Sequence, residues 1–261
     1  MITPRKSLGQ HWLKDAAVLA AICEVADLDT DDTVLEIGPG LGHLTRQLLM
    51  RAGKVIAVEL DKDLAHRLAA ELPDLEIIQQ DILRFDLGSL PAGYKVVANI
   101  PYYLTSNLIR VLSESTNPPV LMVLLVQKEV AERLAAAPGQ MSLLSVSAQL
   151  YYEPELGLIV PAGTFEPPPK VDSRLISLSR RQPPLFDGLD TKLFFRIVKA
   201  GFSGRRKKLR GSLAAGLGIE KNQADELLGK AGISSHLRAQ NLSLADWHRL
   251  YTAMIKLNHH E

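Results

Sequence analysis

From residue 33 onward, short apolar runs alternate with stretches in which apolar positions recur every three or four residues. Residues 33–37, 54–58, 75–78, 94–98 and 120–126 read as strands, and residues 41–50, 64–72, 106–112 and 128–137 as helices between and after them. The strands carry no polar alternation. Strands apolar on both faces and separated by helices predict a mostly parallel sheet covered on both sides. Right-handed crossovers then make it an open, doubly wound α/β sheet.

The pattern changes after about residue 140. Residues 143–151 are ambiguous between helix and strand. Residues 156–160 and 171–178 read as strands, and the stiff connector Phe165-Glu-Pro-Pro-Pro-Lys170 between them suits a hairpin at a sheet edge. Gln182-Pro-Pro-Leu-Phe-Asp-Gly188 reads as a linker, followed by helical spacing only, over 190–201, 205–216, 221–231 and 243–257. Ser243, three residues before Asp246, is placed to cap the last of these. The expected organisation is an α/β domain over 1–181 and a small all-helical domain over 182–261.

Charge sharpens this division. Residues 1–179 hold 15 Lys and Arg against 22 Asp and Glu, whereas residues 180–261 hold 15 against 7, so the formal net charge of +1 hides an acidic and a basic part. Such asymmetry points to a polyanionic partner for the basic part. The stretch Arg196 to Arg210, RIVKAGFSGRRKKLR, has seven cations and no acid. Arg205, Arg206, Lys207, Lys208 and Arg210 are its leading candidates for phosphate contact, and Gly201, Gly204 and Gly211 beside them for close approach of backbone to such a partner. The single cysteine, Cys23, excludes a disulfide framework or a cysteine zinc site and fits a reducing, cytoplasmic setting. The histidines have no metal-ligand spacing, so no metal is expected. No apolar signal core follows the basic N-terminus, and the longest apolar run, residues 120–126, is too short to span a bilayer.

Candidate chemistry collects at the carboxyl ends of the predicted strands, where open α/β sheets bind ligands. Glu36-Ile-Gly-Pro-Gly-Leu-Gly42 leaves the first strand and opens a helix, and Gly38 and Gly40 let backbone approach a ligand. Glu59 ends the next strand, 21 residues after Gly38, where a carboxylate can accept both hydroxyls of a ribose. Asp81 ends the third, placed to accept from an adenine amine. The G-x-G-x-G spacing is not that of a dinucleotide cradle, and the acid at Glu36 suits a positive centre. Together these favour S-adenosylmethionine over a nicotinamide.

The fourth strand ends in Asn99-Ile-Pro-Tyr102. With a methyl donor in the crevice, the Asn99 amide oxygen and the Ile100 carbonyl can accept the two N–H bonds of an exocyclic adenine amine. They would direct its lone pair at the methyl group. Pro101 holds Ile100 extended and stiffens the turn. Tyr102 can stack on the base, worth on the order of 1–3 kcal/mol.

These motifs, with Lys6-Ser-Leu-Gly-Gln10, Gln127-Lys-Glu-Val130 and Phe165-Glu-Pro-Pro-Pro-Lys-Val-Asp-Ser173, resemble the ribosomal RNA adenine-N6 dimethyltransferases nearly end to end. The resemblance implies a Rossmann-like S-adenosylmethionine-dependent methyltransferase fold with a helical RNA-binding domain. It also implies dimethylation of two adjacent adenosines near the 3′ end of small-subunit ribosomal RNA during subunit assembly. It places His11, Leu13, Gly38, Glu59, Asp81 and Asn99 around the cofactor, and Phe165 on the face of the target base opposite Tyr102. The family usually has Asn and Phe where this chain has His11 and Trp12, and the segment Pro138-Gly-Gln-Met-Ser142 lacks the basic and aromatic residues often found there. A monomer is the expected state. The competing readings are a large-subunit RNA dimethyltransferase of the antibiotic-resistance type and a non-catalytic RNA-binding assembly factor. A DNA adenine methyltransferase is more distant, since those usually carry a second proline where Ile100 stands.

Overall fold

The computed structural model describes residues 4–5, 8–204 and 206–258. Lys6, Ser7 and Arg205 therefore lie outside the described residues.

The chain forms two compact units. The first comprises the described residues up to Glu132 together with Tyr152–Arg180, and the second Arg133–Tyr151 together with those from Arg181 onward. The boundary expected at 181/182 thus misses one exchange. Residues 133–151 pack with the helical part, because Met141, Val146 and Leu150 belong to the same buried cluster as Phe194, Leu213 and Trp247. The ambiguous stretch resolves as helix α6 (Leu143–Gln149), started by a reciprocal cap between Ser142 and Ser145.

In the first unit the sheet order is β4-β3-β2-β5-β6-β9-β7. β2 (Thr33–Ile37), β3 (Lys54–Glu59), β4 (Glu76–Gln79), β5 (Lys95–Asn99) and β6 (Leu121–Gln127) are parallel, as their unbroken apolar runs predict. β9 (Ser173–Arg180) returns antiparallel beside β6, and β7 (Tyr152–Val160) closes that edge as the expected hairpin. β7 starts four residues earlier than its hydrophobicity suggests. Pro154 fits inside it because an edge strand has a ladder on one side only. Strand order reverses between β2 and β5, which opens a crevice at their carboxyl ends. The flanking helices are α1 (Ala16–Ala26), α2 (His43–Leu49), α3 (Lys62–Glu71) and α4 (Thr105–Glu114), and α5 (Lys128–Leu134) follows β6. Cys23 is buried on α1.

A second, two-stranded sheet has no counterpart in the periodicity. β1 (Trp12–Leu13) pairs antiparallel with β8 (Phe165–Glu166), Leu13 opposite Phe165. Lys14 pairs with Glu166 just outside it.

The second unit holds α6, α7 (Thr191–Phe202), α8 (Leu209–Leu217), α9 (Lys221–Lys230) and α10 (Leu244–Asn258). Ser243 caps α10 reciprocally: its Oγ accepts from the Asp246 amide at 3.1 Å, and its own amide donates to Asp246 Oδ2 at 2.8 Å. α8 begins at Leu209 rather than 205. Arg206, Lys207 and Lys208 precede it, which spares the helix a run of cations in its first turn, where the dipole opposes them. Gly201 faces inward, its missing Cβ making room for the Trp247 indole, which would otherwise lie 2.4 Å away. Packing, rather than approach to RNA, accounts for that glycine.

Candidate active site

The crevice at the switch point is a cavity of about 260 Å³. It is lined by Glu36, Gly38, Gly40, Glu59, Asp81, Asn99, Ile100, Pro101 and Tyr102, and on another wall by the segment Leu8 to Leu13.

The glycine loop follows β2 directly. Gly38, Gly40 and Gly42 have φ of +67°, +58° and +76°, values that a Cβ would strain. The Gly40 amide donates to Glu59 Oε2 at 3.2 Å, and Glu59 Oε1 accepts from the Asp61 amide at 2.9 Å. These bonds fix the carboxylate at the end of β3 and leave it lone pairs for further donors. Burial pushes the pKa of Glu59 up, against the pull of these backbone bonds. Asp81 Oδ1 caps a short 3-10 turn through the Leu83 amide at 3.0 Å, and Oδ2 has no partner among the described residues.

Glu36 is 1% exposed, and its Oε2 has no hydrogen-bond partner among the described residues. Burial pushes its pKa up to about 8, the adjacent Thr45 hydroxyl opposing and the Glu59 charge adding. A buried, unpartnered carboxyl on a cavity wall fits a ligand that brings a positive charge.

At the end of β5 the Ile100 amide still donates to the Leu125 carbonyl at 3.2 Å, so the chain leaves the sheet in line. Asn99 Nδ2 donates to the His11 carbonyl at 3.1 Å. That bond sets the amide orientation and leaves Oδ1 as an acceptor. No donor among the described residues takes the Ile100 carbonyl. The Tyr102 hydroxyl meets Ser173 Oγ at 2.8 Å, and its ring stacks with His11 at 5.9 Å between centroids. His11 is itself held through Nδ1 and the Pro167 carbonyl at 2.7 Å.

A model of the ribosomal RNA adenine dimethylase family matches residues 1–256. The chain belongs to that family. Among its curated relatives, the ribosomal RNA small subunit methyltransferase A of Dehalococcoides mccartyi strain 195 is 45% identical, covering 94% of this chain and 87% of its own. The protein of the same name from Desulfitobacterium hafniense DCB-2 is 43% identical over 96% and 92% of the two chains. Among solved structures, a dimethyladenosine transferase from Plasmodium falciparum has a TM-score of 0.79 at 27% identity, covering 95% of this chain and 98% of its own. The 23S rRNA methyltransferase ErmE has 0.75 at 30%, covering 94% and 99%. The chain accordingly has the Rossmann-like methyltransferase fold.

Every cofactor-site residue expected from the sequence lines this one cavity, His11 and Leu13 included. Phe165 does not. It is 4% exposed and packed in the core with Leu13, Leu19 and Leu175, because β8 draws it beneath β1. The expected sandwich of a base between Tyr102 and Phe165 therefore gives way to a core role for Phe165. Sequence reasoning also missed Tyr103, which lines the cavity while 63% exposed, and Gln10, which bonds Asp61 at 3.3 Å. Two adjacent tyrosines after an Asn-x-Pro turn were the available signal for the first. Of the basic candidates, Arg210 pairs with Asp225 at 3.0 Å and Lys208 meets His236 at 3.1 Å, whereas Arg206 and Lys207 have no acidic partner among the described residues. Among the described residues no group of acids, cysteines and histidines is placed to hold a metal, and no helix is long and apolar enough to cross a membrane.

Proposed function

We propose that the protein transfers methyl groups from S-adenosylmethionine to N6 of two adjacent adenosines near the 3′ end of small-subunit ribosomal RNA. The product is N6,N6-dimethyladenosine in the assembling subunit. The observation that carries the reading is the Asn99 amide. Its nitrogen donates to the His11 carbonyl, which leaves its oxygen as an acceptor at the end of β5, next in the chain to the unpaired Ile100 carbonyl.

S-adenosylmethionine, when bound, supplies a methyl group on a cationic sulfur. Glu36 neutralises positive charge at that end of the crevice. Glu59 would accept from the ribose hydroxyls of the cofactor, and Asp81 from its adenine amine. Asn99 Oδ1 and the Ile100 carbonyl hold the two N–H bonds of the target amine, which favours tetrahedral nitrogen and aims its lone pair. Tyr102, fixed by Ser173, is the stacking platform. The amine becomes acidic only after it has taken the methyl group, so its proton passes to solvent without a strong base. Positioning, rather than acid–base chemistry, is what these residues contribute.

Undermethylated small-subunit particles and large-subunit RNA, each incubated with radiolabelled S-adenosylmethionine and digested to nucleosides, test this reading. Dimethyladenosine from the small-subunit particles alone is expected. Label in large-subunit RNA would move the substrate to the class named for ErmE, and no label in either would leave a binding protein. Asn99→Ala should lower turnover on the order of 10²–10³-fold, the scale for removing one preorganised hydrogen bond, while cofactor affinity is largely kept. Near-normal turnover in that variant would sink the mechanism.

A further inference from the structure

α7 carries a basic groove that the reading above does not use. Asp190 caps the helix, its Oδ1 accepting from the Lys192 and Leu193 amides at 2.9 and 3.1 Å. The helical period then divides the side chains. Phe194, Ile197 and Val198 are buried, whereas Lys192, Arg196, Lys199 and Ser203 form an exposed stripe. From Lys192 to Lys199 the stripe rises about 10 Å at 1.5 Å per residue. With Ala200 and with Gly216 of α8 these four residues line an open groove. The two helix backbones nearly touch at its floor, where a Cβ on Gly216 would fall 2.5 Å from the Ala200 Cα.

The three cations have no carboxylate partner among the described residues. Elsewhere in the same unit Arg210 pairs with Asp225 at 3.0 Å, Lys230 with Glu226 at 2.8 Å and Arg249 with Asp246 at 2.5 Å, so the α7 cations stand with Arg206 and Lys207 among those left without an acid among the described residues. The arrangement on α7 also works against the helix. Lys192 and Arg196 are four residues apart and Arg196 and Lys199 three, spacings at which like charges repel. Lys192 lies in the first turn, where the helix dipole disfavours a cation. Lys199, in the last turn, is favoured by the same dipole, but Lys192 and Arg196 have no such offset, and an anion seated along the stripe relieves the repulsion.

We propose that the Lys192–Arg196–Lys199 groove takes the sugar–phosphate backbone of the RNA substrate, a hold additional to that of Arg206 and Lys207. It rests on the reading of the protein as an RNA methyltransferase. A row of cations suits consecutive phosphates. The groove has no aromatic ring on which a base could stack, so it grips without reading sequence.

The test is the salt dependence of RNA binding, without cofactor, for the full chain and for Lys192→Gln/Arg196→Gln/Lys199→Gln. Each phosphate that the variant no longer neutralises should flatten the slope of log K against log salt by about 0.7–0.9. The triple variant should therefore show a slope shallower by about 2.1–2.7, equally on the substrate RNA and on a scrambled RNA of the same length. Its melting temperature should be unchanged or raised, since repulsion is relieved. A normally melting variant with the wild-type slope overturns the proposal. Should the triple variant fail to fold, Arg196→Gln alone must flatten the slope by about 0.7–0.9, and an unchanged slope there is equally decisive. Methyl transfer is scored separately. Failure of the wild type to methylate any RNA removes the enzymatic reading, whereas an unchanged slope with methylation intact removes only the groove.

Discussion

Glu36 concentrates the electrostatics of the site in one side chain. Its carboxyl titrates near 8 in the folded protein because it is buried, while an unfolded chain releases that proton near the ordinary carboxylate value. Between those values the native state holds the extra proton. The stability it confers is full in acid and is lost as pH rises through about 8. Glu36→Gln should therefore flatten the decline of the unfolding midpoint over that interval, as read by denaturant titration at several pH values. A cationic ligand favours the ionised form, so its binding expels the proton. Affinity for S-adenosylmethionine should rise with pH toward 8 in the wild type and stay level in Glu36→Gln, a contrast that calorimetry at several pH values would show. Single residues of this kind were legible in the chain because acids and amides ending apolar strands stand out. Phe165 was not, since an aromatic before prolines looks the same whether it faces a ligand or a core.

At the level of elements, the parallel strands declared themselves through unbroken apolar runs, and the β7–β9 hairpin through its proline connector. β1 and β8 did not. Two-residue strands have no period, and their pairing joins segments about 150 residues apart. Yet β1 carries one wall of the cavity. Trp12 packs on the glycine loop, with its Cδ1 3.1 Å from where a Gly40 Cβ would lie. Gly40→Ala meets that ring and a φ of +58° together. We expect it to destabilise the protein by about 1 kcal/mol, the scale for an alanine forced into such a conformation, and to weaken cofactor binding about tenfold. Thermal melts and cofactor titration would check both effects. An unaltered affinity would separate the loop from the strand that leans on it.

For the whole molecule, charge was the clearest signal in the sequence and continuity the most misleading. The acidic and basic parts follow the two units closely, but residues 133–151 leave the first unit and come back. Apolar spacing alone does not tell a helix which core it will join. The basic cluster likewise fell one element away from its expected place, in the turn before α8 rather than on the helix. Of it, Arg206 and Lys207 keep their charge unpaired among the described residues. Neutralising this pair should flatten the salt slope of RNA binding by about 1.4–1.8, and neutralising Arg210, already committed to Asp225, by less. Equal effects from all three would mean that the Arg210–Asp225 pair opens on RNA.

The pairing of Leu13 with Phe165 also sets an order of events at the ribosome that makes this chain. Leu13 must wait for its β8 partner until the roughly 150 residues between them have followed it. The parallel strands can assemble meanwhile, since their neighbours arrive sooner, but the mouth of the crevice acquires its last wall only at the end.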